Sequence, residues 1–296
     1  MAADTNANPP SGFFSHWEAQ RPEDNLTLEP VKGSGNGITC LYRSRSGGRN
    51  RLYKVLTLPL RGDLLYESIL RKEFEIGFSL THPGICAYYA FSTLPEYGNA
   101  IELEWIDGCT LRQWLAGNPS RKQRVDVLKQ LLDALSYMHQ KQVIHRDLKP
   151  ENIMITYNGN RVKIIDFGFS DSDFHAINKG AAGTREYAAP ELLAGKSCDA
   201  RADIWSVGAI MEELTPWYSG IIKRCKAFSP QKRYANVTEM KKALAWRQRL
   251  WIVPAVIAAV LGIVLAFYFR TYGDNAIDSL VREAEDAISS TISSGE

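Results

Sequence analysis

Three blocks of residues, in one order, carry the chemistry this chain could perform. His145-Arg146-Asp147-Leu148-Lys149-Pro150-Glu151-Asn152 stands before an apolar, strand-like run, IMIT, and Asp166-Phe167-Gly168 follows another, VKII. Gly183-Thr184-Arg185-Glu186-Tyr187-Ala188-Ala189-Pro190-Glu191 comes third. Two acidic groups, Asp147 and Asp166, thus sit on neighbouring turns at strand ends, where carboxylates act as hard oxygen ligands or as proton acceptors. A single tripeptide of this kind arises by chance. The ordered set at this spacing does not.

The elements that must position these groups follow from periodicity. From Leu26 to about Leu94, short strand-like runs (ITCLYR, RLYKVLTL) are broken by glycine-rich turns. They lead to YESILRKEFEIGFSL, whose apolar positions recur at helical spacing. After a strand, IELEWIDG, come helix-compatible segments around LRQWLAG, RKQRVDVLKQLLDALSYMHQ and ADIWSVGAIMEEL. The expected fold class is α+β with two lobes: a small β-rich lobe carrying one main helix, and a mainly helical second lobe.

At this point the chain resembles the eukaryotic-type Ser/Thr protein kinases, over roughly Leu26 to Leu244. The resemblance implies ATP as substrate and Mg2+ as cofactor, with Mn2+ as the alternative ion. Phosphoryl transfer is catalysed mostly by cation placement and alignment. Asp166 and Asn152 would hold the metal ions, Asp147 would accept the hydrogen bond of the attacking hydroxyl, and Lys149 would steady the transferred phosphate. Lys149 and Thr184 point to Ser or Thr in protein substrates. Lys54 occupies the place of the family's phosphate-anchoring lysine and Glu73 that of its helical partner, ten residues before Pro83. Glu75 is the alternative, about 200° around the helix axis. Gly33-Ser34-Gly35-Asn36-Gly37 begins as the nucleotide-covering turn does, although Ile38 replaces the third glycine. Glu104 and Ile106 would offer backbone groups to adenine beside the gatekeeper Leu103, and Met154 belongs to the same nucleotide site. Asp203 resembles the aspartate that ties down the catalytic loop, and Arg233 the arginine that pairs with Glu191.

Departures from the family pattern generate expectations of their own. Leu52 stands where a small alanine normally meets adenine. Gly77 replaces an apolar residue behind the Lys-Glu pair, which predicts a thinner spine and a more mobile helix. Between Leu214 and Ile221 only TPWYSG remains of a longer substrate-docking region. Gly180 takes the usual phosphorylated position, leaving Arg146 without its phosphate, so Ser170, Ser172, nearby acidic side chains or self-association would have to serve activation. These features motivate an alternative, a membrane-anchored pseudokinase scaffold; a small-molecule phosphotransferase is disfavoured by Thr184 and the Ala-Pro-Glu block.

Bulk properties set the remaining bounds. With 45% hydrophobic and 23% charged residues the chain is globular in balance, and a net charge of +2 supplies no dense basic surface for nucleic acid. The five cysteines are scattered without a C-x-x-C pair, as in reduced cytosolic chains. Residues 250–269 hold no charge, a length that crosses a hydrocarbon core of about 30 Å. Lys241, Lys242, Arg247 and Arg249 precede this span and only Arg270 closely follows, which predicts a cytoplasmic N-terminal domain. The expected organisation is a flexible arm (1–25), a kinase domain (26–245), a transmembrane helix (250–269) and a short tail on the opposite side (270–296).

Overall fold

A computed structural model describes residues 27–31, 37–46, 48–168, 185–249 and 252–293. Five antiparallel strands form the first sheet: β1 (Glu29–Pro30), β2 (Thr39–Ser46), β3 (Arg49–Leu56), β4 (Tyr88–Leu94) and β5 (Gly98–Glu104), in the order β1-β2-β3-β5-β4. β2 and β3 pair up to Ser46 opposite Arg49, so the chain reverses tightly between the two strands. Gly48 sits at φ 77°, the left-handed conformation that such a reversal demands. β3 is central, and Lys54 lies opposite Ile101 of β5. One helix, α1 (Leu64–Phe78), packs on this sheet. Its N-terminus is capped by Asp63, whose carboxylate accepts from the amides of Leu65 and Tyr66.

The second lobe begins with β6 (Gly108–Thr110), α2 (Leu111–Ala116) and α3 (Arg121–Gln140), both helices opened by capping boxes, Thr110/Gln113 and Ser120/Gln123. In α3 the buried residues Val127, Leu128, Leu131, Leu132, Leu135 and Met138 recur at three- and four-residue spacing, the stripe that drives the helix into the core. β7 (Ile153–Thr156) and β8 (Val162–Ile164) complete a small sheet, β6-β7-β8. Helices α4 (Pro190–Leu193), α5 (Arg201–Leu214), α6 (Ser219–Cys225) and α7 (Val237–Arg249) follow. α5 is buried on nearly all sides, and a short 3-10 turn at Pro216–Tyr218 passes directly into α6, the compact form of the TPWYSG connection. The two lobes meet through backbone hydrogen bonds: Ile164 N–H donates to Gly84 O at 2.9 Å and Cys86 N–H to Ile164 O at 2.9 Å.

Gly77 corrects one expectation. A Cβ built there would lie 2.5 Å from the ring of Tyr88, so the missing side chain is not a void that loosens α1. The Tyr88 ring fills the space behind the Lys-Glu pair, and only glycine admits it. We expect Gly77→Leu to lower stability by about 2 kcal/mol, the range of overpacked cores. Denaturant titration of the detergent-solubilised chain checks this; a variant as stable as wild type would contradict the packing argument.

The chain divides into two compact units, residues 1–241 and 242–296. The second contains α8 (Ile252–Ser293), a 42-residue helix about 63 Å long at 1.5 Å per residue. Among the described residues no helix is long and apolar enough to cross a membrane. Ile252 to Phe269 is helical throughout and carries no charge. Val256, Ile257, Val260, Leu261, Ile263, Val264, Leu265, Phe267 and Phe269 are each 53–71% exposed. At 100° per residue they surround the helix, leaving no polar face.

Candidate active site

Lys54 stands at the centre of the site. Its ammonium donates to both carboxylate oxygens of Glu73, at 2.8 and 2.7 Å, and to Asp166 Oδ1 at 3.0 Å. Strand β3 supplies the lysine, the inner face of α1 the glutamate, and the turn after β8 the aspartate. Glu75, the alternative partner, is exposed on the other face of α1. Burial by itself would lower the Lys54 pKa, but Asp166 and Glu73 outweigh it and hold the ammonium charged. Burial likewise lifts the Glu73 carboxyl, whose ionised form is supported by Lys54. For Asp166, burial is overcome by Lys54 and by the Gly168 amide, so it stays below the ordinary carboxylate range.

The second cluster belongs to the loop between α3 and β7. Asp147 is only 3% exposed. Its Oδ2 accepts from Lys149 Nζ at 2.7 Å and from Asn152 Nδ2 at 3.0 Å, and Asn152 Nδ2 also donates to the Asp147 carbonyl at 2.8 Å. Its other oxygen, Oδ1, is buried with no hydrogen-bond partner among the described residues. Burial raises the Asp147 pKa against the opposing charge of Lys149, which makes the carboxylate a stronger proton acceptor. The clusters are neighbours: Ile165 N–H donates to Asn152 O at 3.0 Å, and His145 Nε2 lies 3.2 Å from Ile165 O. Arg146 and Asp166 adopt φ of 64° and 66°, backbone strain that non-glycine residues accept mainly at functional sites.

Asp203 of α5 holds this strained loop. Fully buried, it accepts the His145 amide at 2.9 Å on Oδ2 and the Arg146 amide at 2.8 Å on Oδ1, while His139 Nε2 lies 2.8 Å from Oδ2. Burial alone would raise its pKa, but His139, His145 and these donors pull it below the ordinary range. A depressed folded-state pKa means that the stabilisation is complete above the unfolded value, about 4, and is lost as pH falls through the folded value. We therefore expect Asp203→Ala to cost about 3 kcal/mol at neutral pH, as a buried charged hydrogen-bond network does. In denaturant titrations across pH the deficit should shrink below about pH 4; a pH-independent deficit would contradict this role. Arg233 likewise meets Glu191 through two contacts of 2.6 and 2.8 Å, as its motif implies.

The nucleotide-side residues are placed unevenly. Leu103 is buried, Leu52 faces it across the β3/β5 pairing, and Ile106 and Met154 are half-buried. The Glu104 amide is already given to Ala87 O at 2.9 Å, and its carboxylate holds Lys163 at 2.7 Å. Of its backbone groups only the carbonyl is left to meet a base, so the expected hinge donor is Ile106 alone. Gly33, Ser34, Gly35 and Asn36 lie outside the described residues, as do Ser170, Ser172, Gly180 and Thr184; Gly37 takes φ 84°. Two features were missed in the sequence. Tyr88 donates its hydroxyl to Glu73 Oε1 at 3.0 Å, and Arg112 of α2 donates to Tyr187 Oη at 2.7 Å while pairing with Glu151 beside the catalytic loop. Gly77, small where bulk was expected, was the available signal for Tyr88.

Among the described residues no group of three or more His, Cys, Asp and Glu side chains forms a metal cage of its own. Asp166 and Asn152 instead offer one carboxylate and one amide oxygen, the sparse hard set of an ion whose other positions go to phosphate and water. Together with Asp147 Oδ1, which has no partner among the described residues, the donor set fits a metal-bound phosphate beside a hydroxyl.

A central sheet lysine clamped by a helix glutamate, an aspartate after β8 and a second aspartate on a strained loop define a kinase-type site. The profile of the protein kinase domain matches residues 33–249. The chain belongs to the protein kinase family. It is 34% identical over 211 residues to a probable serine/threonine-protein kinase of Streptomyces coelicolor, a match that covers 67% of this chain and 31% of that protein. Serine/threonine-protein kinase PknB of Mycobacterium tuberculosis is 35% identical over 204 residues, covering 64% of this chain and 32% of that one. The matched region thus spans about a third of these curated relatives. Among solved structures, the kinase domain of Mycobacterium tuberculosis PknI superposes with a TM-score of 0.58 at 21% identity, over 77% of this chain and 99% of that one, a likeness of fold.

Proposed function

We propose that this chain is a protein serine/threonine kinase that uses ATP with Mg2+ or Mn2+, phosphorylates itself as well as protein substrates, and is tethered to a membrane. The single observation that carries the reading is the hydrogen-bonded set Lys54, Glu73 and Asp166 next to Asp147, Lys149 and Asn152. Lys54, kept charged, would meet phosphate oxygens. Asp166 and Asn152 would hold the divalent ion, which when bound neutralises charge on the triphosphate. Asp147 Oδ1 would accept the substrate hydroxyl, and Lys149 would fix the other oxygen and face the transferred group. The names of the relatives favour Ser and Thr as acceptors.

The same reading puts the kinase domain (26–245) in the cytoplasm, residues 250–269 across a bilayer and the tail (270–296) beyond it. It is supported by the charge-free run, the apolar circumference of α8 and the basic residues before the span. Self-association remains part of the proposal for activation.

The test is transfer from labelled ATP by the purified full chain in detergent, with magnesium and a peptide panel. Wild type is expected to label itself and peptides on Ser or Thr. Asp166→Ala is expected to be slower by about 100-fold or more, the rate equivalent of losing metal-held charge stabilisation. Equal rates for the two proteins would overturn the assignment.

A further inference from the structure

Building on the kinase reading, we infer that Tyr88 is a positioning residue: its hydroxyl fixes the Glu73 carboxylate in the orientation that holds Lys54 over the phosphate site. Glu73 Oε1 is shared, receiving Lys54 Nζ at 2.8 Å and the Tyr88 hydroxyl at 3.0 Å, while among the described residues Oε2 receives Lys54 alone at 2.7 Å. A buried carboxylate with one flexible ammonium as its only donor can swing about its last torsion, which is broad and soft. A second donor from a different element removes that freedom. Tyr88 comes from β4, beside a register shift between Tyr88 and Ala90.

The ring is placed by packing on two sides. Gly77 lies four residues after Glu73, on the same face of α1, and a Cβ there would come within 2.6 Å of three ring atoms. On the other side the ring meets Phe167, the residue after Asp166, at 5.6 Å between centroids. Phe167 in turn meets His145 at 5.6 Å. Tyr88 is 6% exposed, so its hydroxyl has a protein partner and no bulk water. One side chain therefore reads the positions of α1 and of the Asp166 turn together, and binds the carboxylate only when both are in place.

The experiment measures kcat and the KM for ATP on the full chain in detergent for wild type, Tyr88→Phe, Glu73→Gln and the double variant. Tyr88→Phe keeps the ring and should melt as wild type does, yet lose about 10-fold in kcat/KM for ATP, the rate equivalent of one hydrogen bond to a charged group. In the Glu73→Gln background the same change should matter by less than about 2-fold, because the interaction it removes is already altered. A merely structural role would give the same loss in both backgrounds, and that result overturns the inference. So does a Tyr88→Phe variant with wild-type kcat/KM. Should Tyr88→Phe fail to fold, the Gly77→Leu/Tyr88→Leu pair restores apolar filling without a hydroxyl; it is expected to fold and show the 10-fold loss, and full activity in it overturns the inference. A wild-type chain without any transfer would remove the kinase reading itself, an outcome distinct from the others.

Discussion

Asp147→Asn is expected to reduce kcat for phosphoryl transfer by about 100- to 10,000-fold, the range associated with a lost general base. The substitution preserves shape, and the new amide oxygen can still accept from Lys149. What it removes is the basicity of the buried oxygen that has no partner among the described residues, Asp147 Oδ1. In the carboxylate that atom is an acceptor open to a further donor, and a substrate hydroxyl is such a donor. Burial adds to the effect by lifting the carboxyl pKa, so the lost acceptor is a stronger one than an exposed aspartate. Quenched-flow measurement of the chemical step, with a melting curve to show that the variant is folded, checks the expectation. A fall of less than about 10-fold would assign Asp147 to holding the loop and place proton acceptance elsewhere.

Placing arginine at both Val260 and Leu261 is expected to release the chain from membranes. Wild type should resist carbonate extraction and sediment with vesicles, while the double variant should appear in the soluble or aggregated fraction. Each arginine at the centre of a span costs about 2.5–3.5 kcal/mol on insertion scales, so the pair costs roughly 6 kcal/mol. Neither position supports the rest of the chain: Val260 is 53% and Leu261 55% exposed. With both side chains more than half exposed, the charge acts on the surroundings of α8 rather than on a packed core. Arginines that leave the sedimentation unchanged would rule out a hydrocarbon-embedded α8 and with it the tether.

The legible part of this site was the part encoded in contiguous residues. Asp147, Lys149 and Asn152 lie within one loop, and Asp166 follows one short strand, so chain connectivity alone brings them near each other. Capping followed similarly local rules: Ser120 and Gln123 open α3 at the position where the helical pattern begins. Lys54 and Glu73 required a register with other motifs, and their pairing at 2.7 Å agrees with it. The reading failed where one element's surface is shaped by another. Gly77 was taken for a deficit because its neighbour in space, Tyr88, lies on a different element, and sequence distance says nothing about which ring enters which gap. The same reason hid the Glu104 amide, whose partner Ala87 sits across a strand crossing, and Arg112, whose partners Glu151, Tyr187 and Glu213 come from three later segments.

By itself, then, the order of amino acids determined the family, the two-lobed class, the identity of the charged groups and the unbroken apolar run of α8, because each follows from residue type and short-range spacing. The tertiary structure decided which oxygen of each carboxylate is occupied, which backbone donors are already spent, and that a tyrosine and a glycine together replace the expected apolar filler. Those outcomes depend on distances of a few tenths of an ångström between elements far apart in the chain, and close packing is what sets such distances.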